Sequence, residues 1–280
     1  MATAVITGGT DGIGRALADE YLRHGFEVLV IGRDERKGRA FTDAGERARF
    51  VSADLSSVAE NRRLAEHIAG QYPSLDVLVL GARYHRSNRV LTADGFESSF
   101  ALFYLSRFLL SHGLVGPLGR AEKPVVLNFG GAGQTGPVRW DDLQLEHGYH
   151  GVRAMGHAGR LNDLLGVDFA DTYADTGIRY VLNHPGVVVT SFAGEYDPVT
   201  AEQVDHLRIT GKPVATAVAQ ILPFLGATGE GQNGEAQGGL TAVLEGHRVP
   251  LEPGVWNLGE ARRLRDLTRD LLAQADRRLA

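Results

Sequence analysis

The sequence predicts an α/β fold: a doubly wound parallel sheet with helices on both faces, in a single domain spanning residues 1–280. Three observations lead to it. Short, nearly unbroken apolar runs recur along the chain, as expected of strands buried on both faces. Segments of helical periodicity separate them, and that alternation implies right-handed β-α-β crossovers. A glycine-rich turn at 7–14 joins the first strand to the first helix.

The expected strands are Ala4–Thr7, Glu27–Ile31, Arg49–Ser52, Asp76–Leu80, Val125–Phe129 and Arg179–Leu182. The expected helices begin with Gly12–His24, whose buried stripe is read as Ile13, Ala16, Leu17 and Leu22. Ser57–Gln71, Gly95–Gly113 and Gly151–Asp175 follow. Residues 226–239, rich in Gly, Glu and Gln, read as a surface loop. Leu258–Leu279 reads as a charged packing helix with Leu264, Leu267, Leu271 and Leu272 as its apolar stripe.

Composition narrows the function. With 29 basic and 34 acidic residues the net charge is −5, which argues against a surface built to track phosphate backbones, so no nucleic-acid partner is expected. The chain has no cysteine, which excludes disulfides, thiolate metal sites and cysteine nucleophiles. No His/Asp/Glu spacing suggests a metal site. The N-terminus enters a strand directly, so no signal peptide is expected. The apolar stretch Phe100–Leu110 contains Ser106 and Arg107 and is too short to span a bilayer. A cytoplasmic protein without membrane association is expected.

The turn reads Thr7-Gly8-Gly9-Thr10-Asp11-Gly12-Ile13-Gly14. Glycines let the backbone turn tightly and approach a pyrophosphate, and the helix N-terminus supplies free N–H groups. Its strand-to-helix setting makes it a Rossmann-type dinucleotide site. The second strand ends Ile31-Gly32-Arg33, with Arg36 and Lys37 beyond. No carboxylate stands where NAD enzymes hold the ribose 2′-hydroxyl. A guanidinium suits a 2′-phosphate, so NADP(H) is expected. Asp34 and Glu35 weaken the local positive field.

Together these residues resemble the short-chain dehydrogenase/reductase family over nearly the whole chain. Thr7–Gly14 resembles its TGxxxGxG turn, and Asp54-Leu55-Ser56 its acidic contact to adenine. Asn183-His184-Pro185-Gly186, followed by Thr190, resembles its loop over the nicotinamide. Trp140-Asp141-Asp142-Leu143, with Tyr149 and Arg153, is most similar to the retinol-dehydrogenase-like branch. The resemblance implies a three-layer α/β/α fold with about seven parallel strands. It implies cofactor contacts at Gly8, Thr10, Gly12, Ile13, Gly14, Arg33, Asp54, Leu55, Pro185, Gly186 and Thr190. It also implies a homodimer formed through the two long helices.

The family's Asn, Ser, Tyr and Lys are replaced. In register they fall on Phe103, Gly131, Met155 and Gly159, and the NNAG-like stretch reads Leu80-Gly81-Ala82-Arg83. Tyr149 and Arg153 spell Tyr-x-x-x-Arg, but similar residues precede the catalytic Tyr in the resembling branch, so they read as structural. Tyr84 and His85, just past the fourth strand, are the candidate replacements for proton transfer. His157 should point away from the cofactor, and His184 and the Asp141-Asp142 pair read as structural. Loss of four polar side chains predicts a roomy apolar site for a large hydrophobic substrate, covered by 198–212 and 226–239. A divergent NADP-dependent oxidoreductase is the leading reading. A non-redox dehydratase, cyclase or isomerase, and a catalytically inactive NADP-binding sensor, remain as alternatives.

Overall fold

A computed structural model describes residues 1–133, 136–226 and 239–279. Ten strands form in it: β1 (Thr3–Thr7), β2 (Glu27–Gly32), β3 (Ala48–Ser52), β4 (Val77–Leu80), β5 (His85–Arg86), β6 (Val125–Asn128), β7 (Arg179–His184), β8 (Gly194–Glu195), β9 (Gly239–Leu244) and β10 (His247–Val249). Eight of them make one sheet in the order β10-β9-β7-β6-β4-β1-β2-β3. All pairs are parallel except β9–β10, an antiparallel edge hairpin. The sheet therefore has one more strand than expected. The register pairs Thr7 with both Ile31 and Leu80, Leu80 with Asn128, and Asn128 with Leu182. The carboxyl ends of five strands thus line up on one edge, where ligands of such sheets bind.

The helices are α1 (Gly12–Arg23), α2 (Glu35–Thr42), α3 (Val58–Gln71), α4 (Ser98–Phe100), α5 (Ser106–Gly113), α6 (Val115–Leu118), α7 (Gly151–Thr172), α8 (Pro198–Thr210), α9 (Val214–Leu225) and α10 (Leu258–Leu279). Strand side chains alternate between two cores. Val5 of β1 faces the core shared with Leu161 and Leu164 of α7, whereas Ala4 and Ile6 face Leu17 and Tyr21 of α1. The buried face of α1 is Gly14, Leu17, Ala18 and Tyr21. The expected stripe is thus corrected: Ile13, Ala16 and Leu22 are only partly buried, because Gly14 must turn inward against the glycine loop.

The expected helix at 95–113 is interrupted. A π-helical turn over Ala101–Leu105 links α4 to α5. Residues 198–210 of the expected cover form α8, and 227–238 lie outside the described residues. The tail is helical over the expected span, with Leu264 and Leu272 buried. It packs along α7, and buried Thr268 meets the Tyr104 hydroxyl at 2.7 Å. Arg62 of α3 forms an ion pair with Asp276 at 2.6 Å, and Arg265 one with Asp168 of α7 at 2.9 Å. The chain thus covers with its own α10 part of the helical face that the family resemblance assigns to a dimer partner. No helix among the described residues is long and apolar enough to cross a membrane.

Candidate functional site

The carboxyl edge holds two neighbouring regions. At the first, β1 turns into α1 with glycines packed against backbone. Gly8 has φ 69°, and a Cβ there would lie 2.8 Å from Ala82 Cα. A Cβ on Gly14 would lie 2.4 Å from the Gly8 carbonyl oxygen, and one on Gly12 2.8 Å from Thr190 Cγ2. The Thr7 hydroxyl accepts the Gly81 N–H at 2.9 Å, which ties β1 to the end of β4. The turn leaves the first-turn N–H groups of α1 without intrahelical acceptors. Asp11 caps Gly12 N–H at 2.7 Å, and its carboxylate pairs with the Lys37 ammonium. Burial alone would raise the Asp11 pKa; hydrogen bonds with Lys37 and Ser191, and the Lys37 charge, hold it below the usual carboxylate range.

At the end of β2, a Cβ on Gly32 would approach Thr10 Oγ1 to 3.0 Å. Arg33 is exposed, with its guanidinium 4.8 Å from the centre of the Tyr84 ring. Among the described residues it has no carboxylate partner. Asp34 is occupied as the cap of α2, accepting Lys37 N–H at 3.0 Å. Asp54 is exposed beyond β3 and accepts from Ser56 Oγ at 2.7 Å, while Leu55 is buried. These residues fit an NADP molecule: a cradle that any Cβ would fill, a helix N-terminus, and a guanidinium free for a 2′-phosphate.

The second region lies between the ends of β4, β6 and β7. Gly131 N–H donates to the Gly159 carbonyl at 3.2 Å, so the loop after β6 rests directly on α7. A side chain on Gly131 would meet Asp163 Oδ2 at 2.8 Å and Gly159 backbone at 3.1 Å. Phe103 is buried in the π-helical turn. The room expected from Gly131 and Gly159 is therefore not found at that point: their main chains pack directly on each other.

Asp163 holds this loop. Its carboxylate accepts Ala132 N–H at 2.8 Å and Gly133 N–H at 3.1 Å, and Ala132 adopts φ 49°. Burial pushes the Asp163 carboxyl up to about 7, against the lowering effect of those hydrogen bonds and of Arg160. Beneath it, buried Arg107 donates to Asn128 Oδ1 at 2.8 Å, to the Phe129 carbonyl and to the Ala82 carbonyl at 3.4 Å, pinning β6 to β4.

The structure separates the two candidate proton carriers. Tyr84 turns toward the first region, its ring between the Arg33 and Arg86 guanidinium groups and its hydroxyl donating to Glu195 at 3.2 Å. His85 is buried in the small β5–β8 sheet and stacked on Tyr196. Its Nδ1 lies 3.1 Å from Met155 Sδ and its Nε2 3.3 Å from Ser87 Oγ. A proton on Nδ1 satisfies both contacts. Burial, and secondarily Arg83, lower its pKa, which keeps the ring neutral near pH 7.

The other side chains weighed in the sequence each have a hydrogen-bond partner. His157 Nε2 accepts Arg139 N–H at 3.2 Å, and burial brings its pKa down to about 4. Tyr149 donates to Glu97 Oε1 at 3.1 Å. Asp142 accepts Glu146 N–H at 2.6 Å, and His184 Nδ1 accepts Gly186 N–H at 3.2 Å. Sequence reasoning missed Asp163, Arg107 and Arg83. The signal for Arg83 was present, as an arginine in a stretch where the resembling pattern has glycine.

A family model described as short chain dehydrogenase matches residues 2–135. Retinol dehydrogenase 12 of Bos taurus is 31% identical over 191 residues, 66% of this chain and 60% of that protein. Retinol dehydrogenase 14 of Homo sapiens is 29% identical over 211 residues, 68% of this chain and 62% of that protein. The chain therefore matches less than two thirds of the length of these relatives. A short-chain dehydrogenase structure from Streptomyces avermitilis superposes with a TM-score of 0.63 at 20% identity, covering 98% of this chain and 97% of that one. Another, from Burkholderia cenocepacia J2315 in complex with NADP, gives 0.64 at 18% identity, covering 88% and 96%. At these identities the structures speak to the fold alone.

Proposed function

The chain belongs to the short-chain dehydrogenase family, and we propose that it is an NADP(H)-dependent oxidoreductase with a divergent active site. The observation that carries this reading is the first region: a glycine cradle at a helix N-terminus beside an arginine with no carboxylate partner. Backbone at Gly8, Thr10, Gly12, Ile13 and Gly14 would hold the pyrophosphate. Arg33 would take the 2′-phosphate, and Asp54 and Leu55 would border the adenine. Pro185, Gly186 and Thr190 would flank the nicotinamide, which when bound supplies or accepts the hydride.

The chain's own contribution to the chemistry is positioning and one proton. The family's Asn, Ser, Tyr and Lys fall on Phe103, Gly131, Met155 and Gly159, none of which carries a proton. We assign the proton to His85, the titratable ring in contact with Met155. Met155 is flexible and can uncover it. Tyr84 is assigned instead to the cofactor side, where it buttresses Arg33. A large apolar substrate is not part of this reading, because Gly131 and Gly159, read as leaving room for it, pack on each other. Nor is a dimer through the long helices, since α10 packs along α7.

Calorimetric titration with NADPH, NADP⁺ and NADH tests the proposal. Micromolar NADPH binding is expected, with NADH at least tenfold weaker. Arg33→Asp should weaken NADPH by roughly ten- to hundredfold, the range of a charge-assisted hydrogen bond, and leave NADH nearly unchanged. No nucleotide binding at millimolar concentration overturns the reading. Tight NADPH binding with no carbonyl reduced across a broad panel makes the chain a nucleotide-binding protein without catalysis.

A further inference from the structure

Arg83 is the feature of the carboxyl edge that the cofactor reading leaves unused. Its backbone leaves a fixed point: Gly81 and Ala82 N–H both donate to the Thr7 hydroxyl, at 2.9 and 3.3 Å, and the Ala82 carbonyl accepts from buried Arg107. From there the side chain crosses toward α7, and Nη2 lies 3.7 Å from Met155 Sδ. The residue is exposed, and among the described residues it has no carboxylate partner.

The nearby acids are committed elsewhere. Glu195 pairs with Arg86 and accepts from Tyr84. Asp197 caps α8, accepting Thr200 N–H at 2.8 Å. The groups that sense Arg83 are His85 and Tyr196, which are neutral near pH 7. Among the described residues, Arg33 and Arg83 at this edge both lack a carboxylate partner. A cofactor 2′-phosphate accounts for only the first.

We propose that Arg83 binds an anionic oxygen group of the substrate, and that the substrate is a carbonyl compound carrying a carboxylate beside the reacting centre. This rests on the oxidoreductase reading above. An arginine offers a carboxylate two parallel N–H donors, which orients as well as attracts. The other source of such an anion is the cofactor pyrophosphate. Placement favours the substrate, because Arg83 lies against Met155 and its charge acts on His85 and Tyr196. The α1 N-terminus is met instead by Asp11, Lys37, Ser191 and Thr190. An arginine at this position also disfavours large apolar ligands, since burying its charge against hydrocarbon is unfavourable.

The test is calorimetry on the full chain saturated with NADP⁺, using pyruvate, oxaloacetate and phenylglyoxylate as probes and phenylglyoxylamide as the neutral control. At least one carboxylate should bind tenfold or more tightly than the amide. Arg83→Gln should abolish that preference, Arg83→Lys should keep part of it, and NADP⁺ affinity should stay within about threefold in both, far less than the ten- to hundredfold of a charge-assisted contact. Unchanged melting temperatures confirm that the variants fold. Equal binding of acid and amide, or saturation by none of the three acids, overturns the proposal. So does a large loss of NADP⁺ and inorganic pyrophosphate binding in Arg83→Gln, which assigns the arginine to the cofactor. Should wild-type protein bind no NADP⁺, the cofactor reading fails by itself, and the same acid-versus-amide titration without cofactor still decides the role of Arg83.

Discussion

The two regions of the carboxyl edge are built from similar materials, glycines packed on backbone, and use them to opposite ends. In the first, Gly8, Gly12 and Gly14 hold the chain in a tight turn that leaves the α1 N-terminus open to a ligand. In the second, Gly130 and Gly131 let a loop settle onto α7, and the Gly131–Gly159 hydrogen bond closes the space between them. Glycine in one place makes a cradle and in the other removes one. The difference lies in what the backbone then does with its N–H groups. In the first region the N–H groups at the start of α1 lie at the open end of a helix, while two in the second are donated to Asp163.

Single Cβ atoms break this comparison most sharply. Gly14→Ala puts a methyl 2.4 Å from the carbonyl oxygen of Gly8, whose own N–H is held by Ile31. Overpacking of this kind costs ~3 kcal/mol, at the upper end of the usual range. NADPH binding should disappear and the melting temperature fall. Gly159→Ala has 3.4 Å to its nearest neighbour outside its own helix, Gly131 Cα, and it replaces a mid-helix glycine. It should stabilise by ~0.5–1 kcal/mol. Gly131→Ser, which restores the hydroxyl of the resembling pattern, should instead destabilise by ~1–3 kcal/mol, because its Cβ meets Asp163 and Gly159. Denaturant unfolding of the three variants ranks them. An unaffected Gly131→Ser protein would mean that the second loop is free to lift.

A comparable effect, spread over several pH units, should appear in the pH dependence of stability. The folded Asp163 carboxyl keeps its proton up to about pH 7. In the unfolded chain an aspartate loses it near pH 4. Between these values the folded state binds the extra proton, so stability falls as pH rises through the window and levels off above it. A shift of this size corresponds to a loss on the order of 3–4 kcal/mol. Asp163→Asn should flatten the slope. It should also lower stability at acid pH, since the amide offers one carbonyl acceptor where the carboxyl group offers two oxygens. Urea midpoints from pH 4.5 to 8.5 measure both. A wild-type slope of opposite sign would show that the loop's N–H groups outweigh burial.

The first region was legible in the sequence because its constraints are local. A strand, four glycines and a helix start lie within twelve residues, and backbone sterics alone demand them in that order. The core strands were legible for the same reason, through runs such as Val77–Leu80, and most of their boundaries shifted by a residue or two. The second region depends on contacts that no short window contains. Asp163 reads as one polar residue in a helix until Ala132 and Gly133 arrive from 30 residues away. The β5–β8 pair is two residues long on each side and joins segments more than 100 positions apart. No periodicity announces it. The role of α10 was similarly hidden: its apolar stripe was visible, but not that it would lie along α7.

The smallest expected effect tests whether the first region is complete as it stands. Lys37 lies just beyond Arg33 in sequence, yet its ammonium is held by Asp11. Both side chains are 39% exposed, so the pair contributes only ~0–1 kcal/mol to stability. Asp11→Asn keeps a good helix cap for Gly12 N–H and removes the carboxylate nearest the α1 N-terminus. Lys37 is then released toward the cofactor. Stability should change by less than ~1 kcal/mol, and NADPH should bind several-fold more tightly, with NADH gaining less because it lacks the 2′-phosphate. Paired calorimetric titrations at two salt concentrations read this out, since the gain should shrink as salt rises. Weaker NADPH binding in Asp11→Asn would reverse the assignment: the Asp11–Lys37 pair would then be the strut that sets Arg33 in place.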